Sequence, residues 1–310
     1  MTDPTTATNA PPIWEQLGPG LHRGISDHDY HVEPLASQSV LKPLANGKSP
    51  AHVLHRMLNP EPPSPAMLLG SAFHALVLQH GWHDRVFIAP TNDRRTKGFK
   101  EFADAIAGSM PDDGIIITPD ELEQLEGMAQ SVQRCHSAWW PIQQAINFPD
   151  QNYTEAMGLW LPTATTETPA PSWCKFKPDV FIPEHGIVVD LKTTQDADRK
   201  NFERSIYNFG YHLQAGFYFE GLRRLGFKPE YYLIIAIEKE PPYGVRVYNL
   251  EPEVIDYGWE LLRQPLRTFS ECMATGNWPA WNDQAEDIGL PPWAMKEASA
   301  FKNSLQQSGG

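Results

Sequence analysis

Two aspartates and a lysine stand at a spacing that suggests shared chemistry. Asp179 follows Pro178, and eleven residues later Asp190-Leu191-Lys192 closes the apolar run Ile187-Val188-Val189. Residues i and i+2 of a strand project to one face, so Asp190 and Lys192 point together and Leu191 points into the opposite layer. Asp179 belongs to the preceding strand, and a turn over 183–186 brings that strand back antiparallel. Two carboxylates and one ammonium then lie close together. Carboxylate oxygens are hard ligands suited to Mg2+ or Mn2+. A lysine amine beside such an ion can orient or deprotonate an attacking water, as metal-assisted hydrolysis of a phosphodiester requires. A surface hairpin with an ion pair has the same Asp-x-Lys letters. The context favours chemistry, because a solvated strand face alternates polar residues along its length, and here charge appears only at the strand's end.

The elements that must position these groups follow from periodicity and turn residues. Segments 153–161 and 173–182 read as strands joined by a Thr/Pro-rich loop over 162–172. Segment 186–193 is the strand that carries Asp190 and Lys192. A helix is expected over 201–226, with Gly226 as its stop. Two strands, 231–238 and 245–250, and a helix over 253–275 complete the order β-β-β-α-β-β-α. Upstream, 39–148 is mainly helical. Segment 66–79 is apolar nearly all round, which marks a buried helix. Thr118-Pro119-Asp120-Glu121 has a capping residue, proline in the first turn and glutamate three residues after the cap. The expected fold class is therefore α/β: a mixed central sheet flanked by helices, behind a mainly helical N-terminal portion.

Composition sets outer bounds. The chain has 310 residues, 29 of them proline, and a formal net charge of −13. That charge excludes a uniformly basic nucleic-acid coat but not a basic groove on an acidic body. Cys135, Cys174 and Cys272 are scattered and odd in number, so neither a disulfide framework nor a four-thiolate iron–sulfur cluster is expected. The longest aliphatic run, about 233–237, is far short of the ~20 residues of a membrane span. The first twelve residues lack a basic-then-apolar leader pattern, so a cytoplasmic setting without membrane association is expected. Residues 1–22 read as a disordered tail and 283–310 as a C-terminal tail. Between them, 23–282 is expected to form one domain, with a helical portion over about 39–148 and an α/β core over about 150–275.

Asp179 with Asp190-Leu191-Lys192 resembles the PD-(D/E)XK nuclease motif. Flanking segments are similar to its RecB-like branch: Gly70-Ser-Ala-Phe-His74 resembles the GxxxH helix, and Gln214-Ala-Gly-Phe-Tyr218 resembles the QxxxY helix. The run from Gly210 to Tyr218 is also similar to phage and prophage RecE-type exonucleases (exonuclease VIII). So are Tyr30 with Ser39-Val-Leu and Ser49-Pro50, and Phe87-Ile-Ala-Pro with Arg94-Arg95-Thr-Lys97. The likeness spans about 30–278. It implies a PD-(D/E)XK, restriction-endonuclease-like core and a nuclease site. Asp179 and Asp190 are implied metal ligands, the Leu191 backbone carbonyl and His74 complete the shell, and Lys192 activates water and stabilises developing charge. A site joining residue 74 to 179–192 requires both portions to pack as one unit. Spacing alone favours a core histidine satisfied by a carbonyl for His74, and the resemblance reverses that preference.

Several further residues keep two readings. Glu155 matches a position where this family often places an acid that helps a second metal ion; a solvent-facing glutamate at a strand start looks the same. Gln214 and Tyr218 share one helix face and could hold water, the metal shell or a DNA phosphate, or pack on the sheet. Arg94, Arg95 and Lys97, with Lys100, form the densest basic cluster, either a phosphate grip or a solvated face. Arg204 could line the same groove. Trp139-Trp140 is either a core anchor or an interface.

The resemblance implies a Mg2+-dependent (or Mn2+-dependent) exonuclease using one or two ions. It would act 5′→3′ on ends of linear double-stranded DNA and leave 3′ single-strand tails. A homo-oligomeric ring and a RecT-like single-strand annealing partner in phage-type recombination are implied too. No Walker A pattern occurs, so no nucleotide cofactor is expected. Two rival readings remain: a non-catalytic DNA-binding or assembly protein on a nuclease-derived fold, and an endonuclease of the same fold.

Overall fold

The computed structural model describes residues 12–79, 81–164, 171–281 and 285–308. Its elements begin with α1 (Ile13–Leu17), β1 (Gly20–His22), α2 (Asp27–Val32), α3 (Gln38–Ala45), α4 (Pro50–Leu58) and α5 (Pro65–Leu78). Then come β2 (Val86–Ile88), α6 (Lys97–Ile106), β3 (Ile115–Ile117), α7 (Pro119–Arg134) and α8 (His136–Asn147). The second half holds β4 (Tyr153–Thr154), β5 (Met157–Trp160), β6 (Cys174–Phe176), β7 (Val180–Ile182) and β8 (Ile187–Thr194). It continues with α9 (Arg199–Phe209), α10 (Tyr211–Arg224), β9 (Tyr231–Glu238), β10 (Val245–Asn249) and α11 (Pro252–Thr275). Residues up to Trp278 form one compact unit, and Pro279–Gly310, with α12 (Pro292–Ser308), forms another. No helix among the described residues is long and apolar enough to cross a membrane.

Local chemistry explains the elements best where caps are strong. Ser37, Ser64 and Thr118 each accept a backbone N–H in the first turn of α3, α5 and α7, and Thr118 with Glu121 completes a capping box. The expected 201–226 helix is two helices. Gly210 adopts φ 72° between them, a left-handed conformation that ends α9 and lets α10 start in a new direction.

The main sheet has the order β10-β9-β8-β7-β4, parallel between β8 and β9 and antiparallel elsewhere. Strand β8 is interior and covered on both faces, so its sequence runs apolar without alternation. Val189 and Leu191 join Ile235, Phe73, Met128 and Ile142 in a core beneath α5, α7 and α8. Val188 joins Ile234, Leu213, Phe217 and Phe269 in a second core beneath α9, α10 and α11. Asp190 and Lys192 share the Val188 face. Burying each large apolar side chain contributes roughly 1.5–3 kcal/mol, so the two cores hold the sheet's polar end in place.

Several expectations are corrected. The strands foreseen over 153–161 and 173–182 are each broken, at Glu155-Ala156 and at Lys177-Pro178-Asp179. Proline cannot donate to a ladder, and Glu155 takes φ 46°. The broken strands turn a corner: β4 and β7 belong to the main sheet, whereas β5 pairs with both β1 and β6 in a second sheet. The foreseen N-terminal tail therefore ends early, because Gly20–His22 pairs with Met157–Leu159 and Ile13–Leu17 is helical; residues 1–11 lie outside the described residues. Within the foreseen C-terminal tail, Pro292–Ser308 is helical. The helical portion also contains the parallel pair β2–β3. Loop residues 165–170 lie outside the described residues. Trp139 and Trp140 pack against the core beneath α8, which resolves their two readings in favour of anchoring.

Candidate active site

The corner sets the site. Val180 pairs with Val189 across β7–β8, so one step further along that register Asp179 stands opposite Asp190. Thr154 pairs with Val180 across β4–β7, and the Glu155 N–H donates to the Asp179 carbonyl at 3.0 Å. Glu155, Asp179 and Asp190 thus occupy one row across three strands. A non-glycine residue at positive φ is uncommon and concentrates at functional sites; here it marks the point where the chain changes sheets.

Each predicted residue can now be placed. Asp179 Oδ2 accepts the Leu191 N–H at 2.6 Å, and its Oδ1 lies 3.4 Å from His74 Nδ1. His74, from α5, donates through Nε2 to the Leu191 carbonyl at 3.0 Å. Gln214, on α10, donates Nε2 to Asp190 Oδ1 at 2.8 Å and to the Tyr218 hydroxyl at 3.2 Å. Tyr218 donates to the Lys177 carbonyl at 3.1 Å, tying α10 to the corner. Lys192 Nζ lies 2.6 Å from Asp190 Oδ2, a close ion pair, yet that oxygen is fully buried and accepts no hydrogen bond of sound geometry. Glu155 accepts a short hydrogen bond from the Gln79 amide at the end of α5. Asp179, Asp190, Lys192, His74, Gln214 and Tyr218 are brought together, with Glu155 on their flank.

Electrostatics follow from burial and neighbours. Burial alone would suppress protonation of His74, but the Asp179 carboxylate, helped by Glu155, outweighs it and lifts the imidazole to about 9. Both ring nitrogens face acceptors, as a charged imidazolium requires. Burial pushes Asp179 up, but His74, Lys192 and the Leu191 N–H hold it below the usual carboxylate range. Asp190 is raised, first by burial and then by Asp179, against the pull of Lys192. Burial works against the Lys192 charge, but the two aspartates overcome it and keep the ammonium above its ordinary value.

Among the described residues, no three His, Cys, Asp or Glu side chains converge as a metal-binding group. The reason is charge: Lys192 covers Asp190, charged His74 faces Asp179 and Leu191, and Gln79 holds Glu155. The donor chemistry nonetheless fits a hard divalent cation. Two carboxylates and a carbonyl supply oxygen ligands, and the buried Asp190 Oδ2, paired with the Lys192 ammonium at 2.6 Å, lacks a hydrogen bond of sound geometry.

The basic cluster behaves otherwise. Arg94 reaches Glu121 at 2.7 Å, Arg95 reaches Asp93 at 3.0 Å and Lys97 reaches Glu101 at 3.4 Å. These charges are matched at the start of α6, as on a solvated face. Arg204 is exposed on α9. Three supporting groups escaped the sequence. Tyr211 lies beneath Lys192, with Nζ 5.2 Å from the ring centre. Gln79 anchors Glu155. Lys177, beside Pro178, donates to Asp27 Oδ1 at 2.5 Å, and Arg85 binds the other oxygen of Asp27. The one sequence signal for Lys177 was its place next to the motif; Asp27 lies too far along the chain to be paired by inspection.

A mixed sheet with Asp179, Asp190 and Lys192 at the end of adjoining strands defines the PD-(D/E)XK fold. The chain belongs to the family described as a PDDEXK-like domain of unknown function (DUF3799), whose model matches residues 37–290. The structure is similar to a protein from Eubacterium rectale named "Putative exonuclease", at 13% identity and TM-score 0.52, covering 88% of this chain and 96% of that one. It also matches a phage related exonuclease from Haemophilus somnus 129PT, at 10% identity and TM-score 0.27, covering 59% of this chain and 85% of that one. No curated protein matches the chain.

Proposed function

We propose that this protein is a Mg2+-dependent DNA exonuclease of RecE type. It would hydrolyse phosphodiester bonds of linear double-stranded DNA 5′→3′ and leave 3′ single-strand tails for strand annealing. The observation that carries the proposal is the buried Asp190 carboxylate, facing Asp179 and Lys192 and held by Gln214, with one oxygen left without a hydrogen bond. Such an arrangement is costly in a core unless a ligand uses it.

Asp179, Asp190 and the Leu191 carbonyl would hold the ion, joined by His74 once its proton is lost, with Glu155 near enough to serve a second. When bound, the ion would supply Lewis-acid activation of the scissile phosphate and of the attacking water. Lys192 would swing from Asp190 toward the attacked phosphate and stabilise its growing negative charge. Gln214 would keep Asp190 in one rotamer, and Tyr218 would keep α10 in register with the corner. A ring of subunits and an annealing partner belong to the same proposal.

The test is a linear duplex labelled at either the 5′ or the 3′ end, incubated with Mg2+ or with EDTA beside a covalently closed circle. Early release of the 5′ label, only with Mg2+ and only from the linear form, is expected. Early loss of the 3′ label would overturn the polarity, and cutting of the circle would make the protein an endonuclease. No cleavage of any substrate would leave a DNA-binding protein on a nuclease-derived fold.

A further inference from the structure

The chain is acidic, yet from Pro34 to Pro60 it contains no Asp or Glu. This stretch spans α3 and α4, which form one wall of a cavity of about 710 Å3 closed by the α9–α10 turn. Lys42, Lys48, His52, His55, Arg56 and Phe209 line it, and none of its lining residues is acidic. The cavity of equal volume on the other side of α9 carries Glu203, Glu251 and Glu253, so the basic lining is local rather than general. Lys48, His52, His55 and Arg56 are exposed. Lys42 is held down by burial and then by the like charge of Arg56. Phe209 is 60% exposed.

The groove leads to the candidate active site through touching groups. Lys42 Nζ donates to the Phe209 carbonyl at 2.6 Å, fixing α3 to the turn. The Phe209 ring lies 5.7 Å from the Tyr211 ring, and Tyr211 lies beneath Lys192. A cationic channel with an aromatic platform is the pattern that holds single-stranded nucleic acid, phosphates on the cations and a base on the ring. We infer that the groove between α3–α4 and Phe209 binds a single-stranded segment of the DNA substrate and guides it to Lys192. This inference rests on the nuclease reading above, and it places strand contact on α3–α4 instead of the acid-matched Arg94–Lys97 run.

The test is fluorescence anisotropy of a labelled oligo-deoxythymidylate and of a blunt duplex, in EDTA so that nothing is cut. The proteins are wild type, Lys48→Gln/Arg56→Gln, Phe209→Ala and Arg134→Gln, the last a charge control on α7. All four sites are solvent-facing, so the variants are expected to fold, and circular dichroism checks it. Phe209→Ala should weaken oligo-deoxythymidylate binding about tenfold, in keeping with the loss of one stacked base. Losing two phosphate contacts should flatten the plot of log affinity against log salt by ~1.4 in the double variant, with Arg134→Gln unchanged. Wild-type affinity in the groove variants, or weakening confined to the blunt duplex, would overturn the inference. The two readings fail separately. Strand binding without Mg2+-dependent cleavage would sink the nuclease and leave the groove; cleavage with indifferent groove variants would do the reverse.

Discussion

At the residue scale the site depends on charge. Asp190 is 2% exposed and Lys192 19% exposed, so their interaction is not dissipated in water as a surface pair's would be. His74 gives a proton-linkage test. Its pKa of about 9 means that it is charged at pH 7.5, whereas a metal-bound imidazole must be neutral. Calorimetry with Mn2+ at pH 7.5, repeated in buffers of different ionisation enthalpy, should therefore show roughly one proton released per ion bound. The His74→Ala protein should release none; equal release from both would remove His74 from the shell. The same shift has a sign for stability. A group whose pKa is raised from 6.5 to about 9 on folding stabilises fully below 6.5 and loses that contribution as pH climbs through about 9. In EDTA the melting temperature should fall over that window, and by less in His74→Ala.

The sequence exposed the Asp179–Asp190–Lys192 constellation because strand periodicity aligns Asp190 with Lys192 and the turn over 183–186 returns Asp179 beside them. It also exposed His74 and Gln214, since both are motif positions on helices. It left Arg94, Arg95 and Lys97 with two readings. Asp93 and Glu101 are near neighbours of that run, but Glu121 is brought to Arg94 only by packing of α7. Counting cations along the chain could not show that they were already matched.

At the element scale, the site depends on a sheet corner and a close helix crossing. The corner was not legible, because 153–161 has continuous strand character and nothing marks Glu155 as the place where the chain changes sheets. The Asp27–Lys177–Arg85 network braces it. Burial pushes Asp27 up, but Lys177 and Arg85 bring it down to about 2. Its contribution to stability is therefore present above pH 3.8 and is lost as pH falls toward 2. Asp27→Asn should cost about 2 kcal/mol at pH 7, in line with removal of one partner from a partly buried charged network. That cost should shrink as pH drops below 3. A denaturant titration at both pH values decides it, and an unchanged midpoint at pH 7 would show that the brace is idle.

The crossing of α10 and α11 is equally specific. A Cβ at Gly258 would stand 1.9 Å from the His212 carbonyl oxygen, and one at Gly216 would stand 2.3 Å from the Trp259 nitrogen. Helix α10 also carries Gln214, so anything that pushes the helices apart moves the amide that holds Asp190. Gly258→Ala should destabilise the protein by about 1–3 kcal/mol and lower the cleavage rate more than substrate affinity. Thermal melting and steady-state kinetics would show both; wild-type values in each would mean that the crossing has slack.

At the scale of the whole molecule, the proposed function asks an acidic chain to approach a polyanion. The acid-free stretch from Pro34 to Pro60, visible in the sequence, is where the inferred strand contact would meet that demand. Its role is not legible there, because its cations are spread over two helices and gather only when α3 and α4 fold against the α9–α10 turn. The two-core sheet was largely legible, since the apolar run of β8 signals cover on both faces. The second sheet was not, as its pairing of Gly20–His22 with Met157–Leu159 joins segments far apart in sequence. If subunits close into a ring, light scattering will give a multiple of 34.9 kDa. A single-chain mass at working concentration would remove the ring from the proposal.

The central claim is that Asp179, Asp190 and Lys192 form a metal-dependent phosphodiesterase. It is tested most directly by the rate at which nucleotides are released from linear duplex DNA with Mg2+. Wild type, Asp190→Asn and Lys192→Ala should be compared, with circular dichroism and melting run alongside. The account predicts Mg2+-dependent release by wild type and a loss of roughly 1,000-fold or more in both variants, as for removal of a group that stabilises transition-state charge, with their folds intact. Well-folded variants that release nucleotides at the wild-type rate would contradict it.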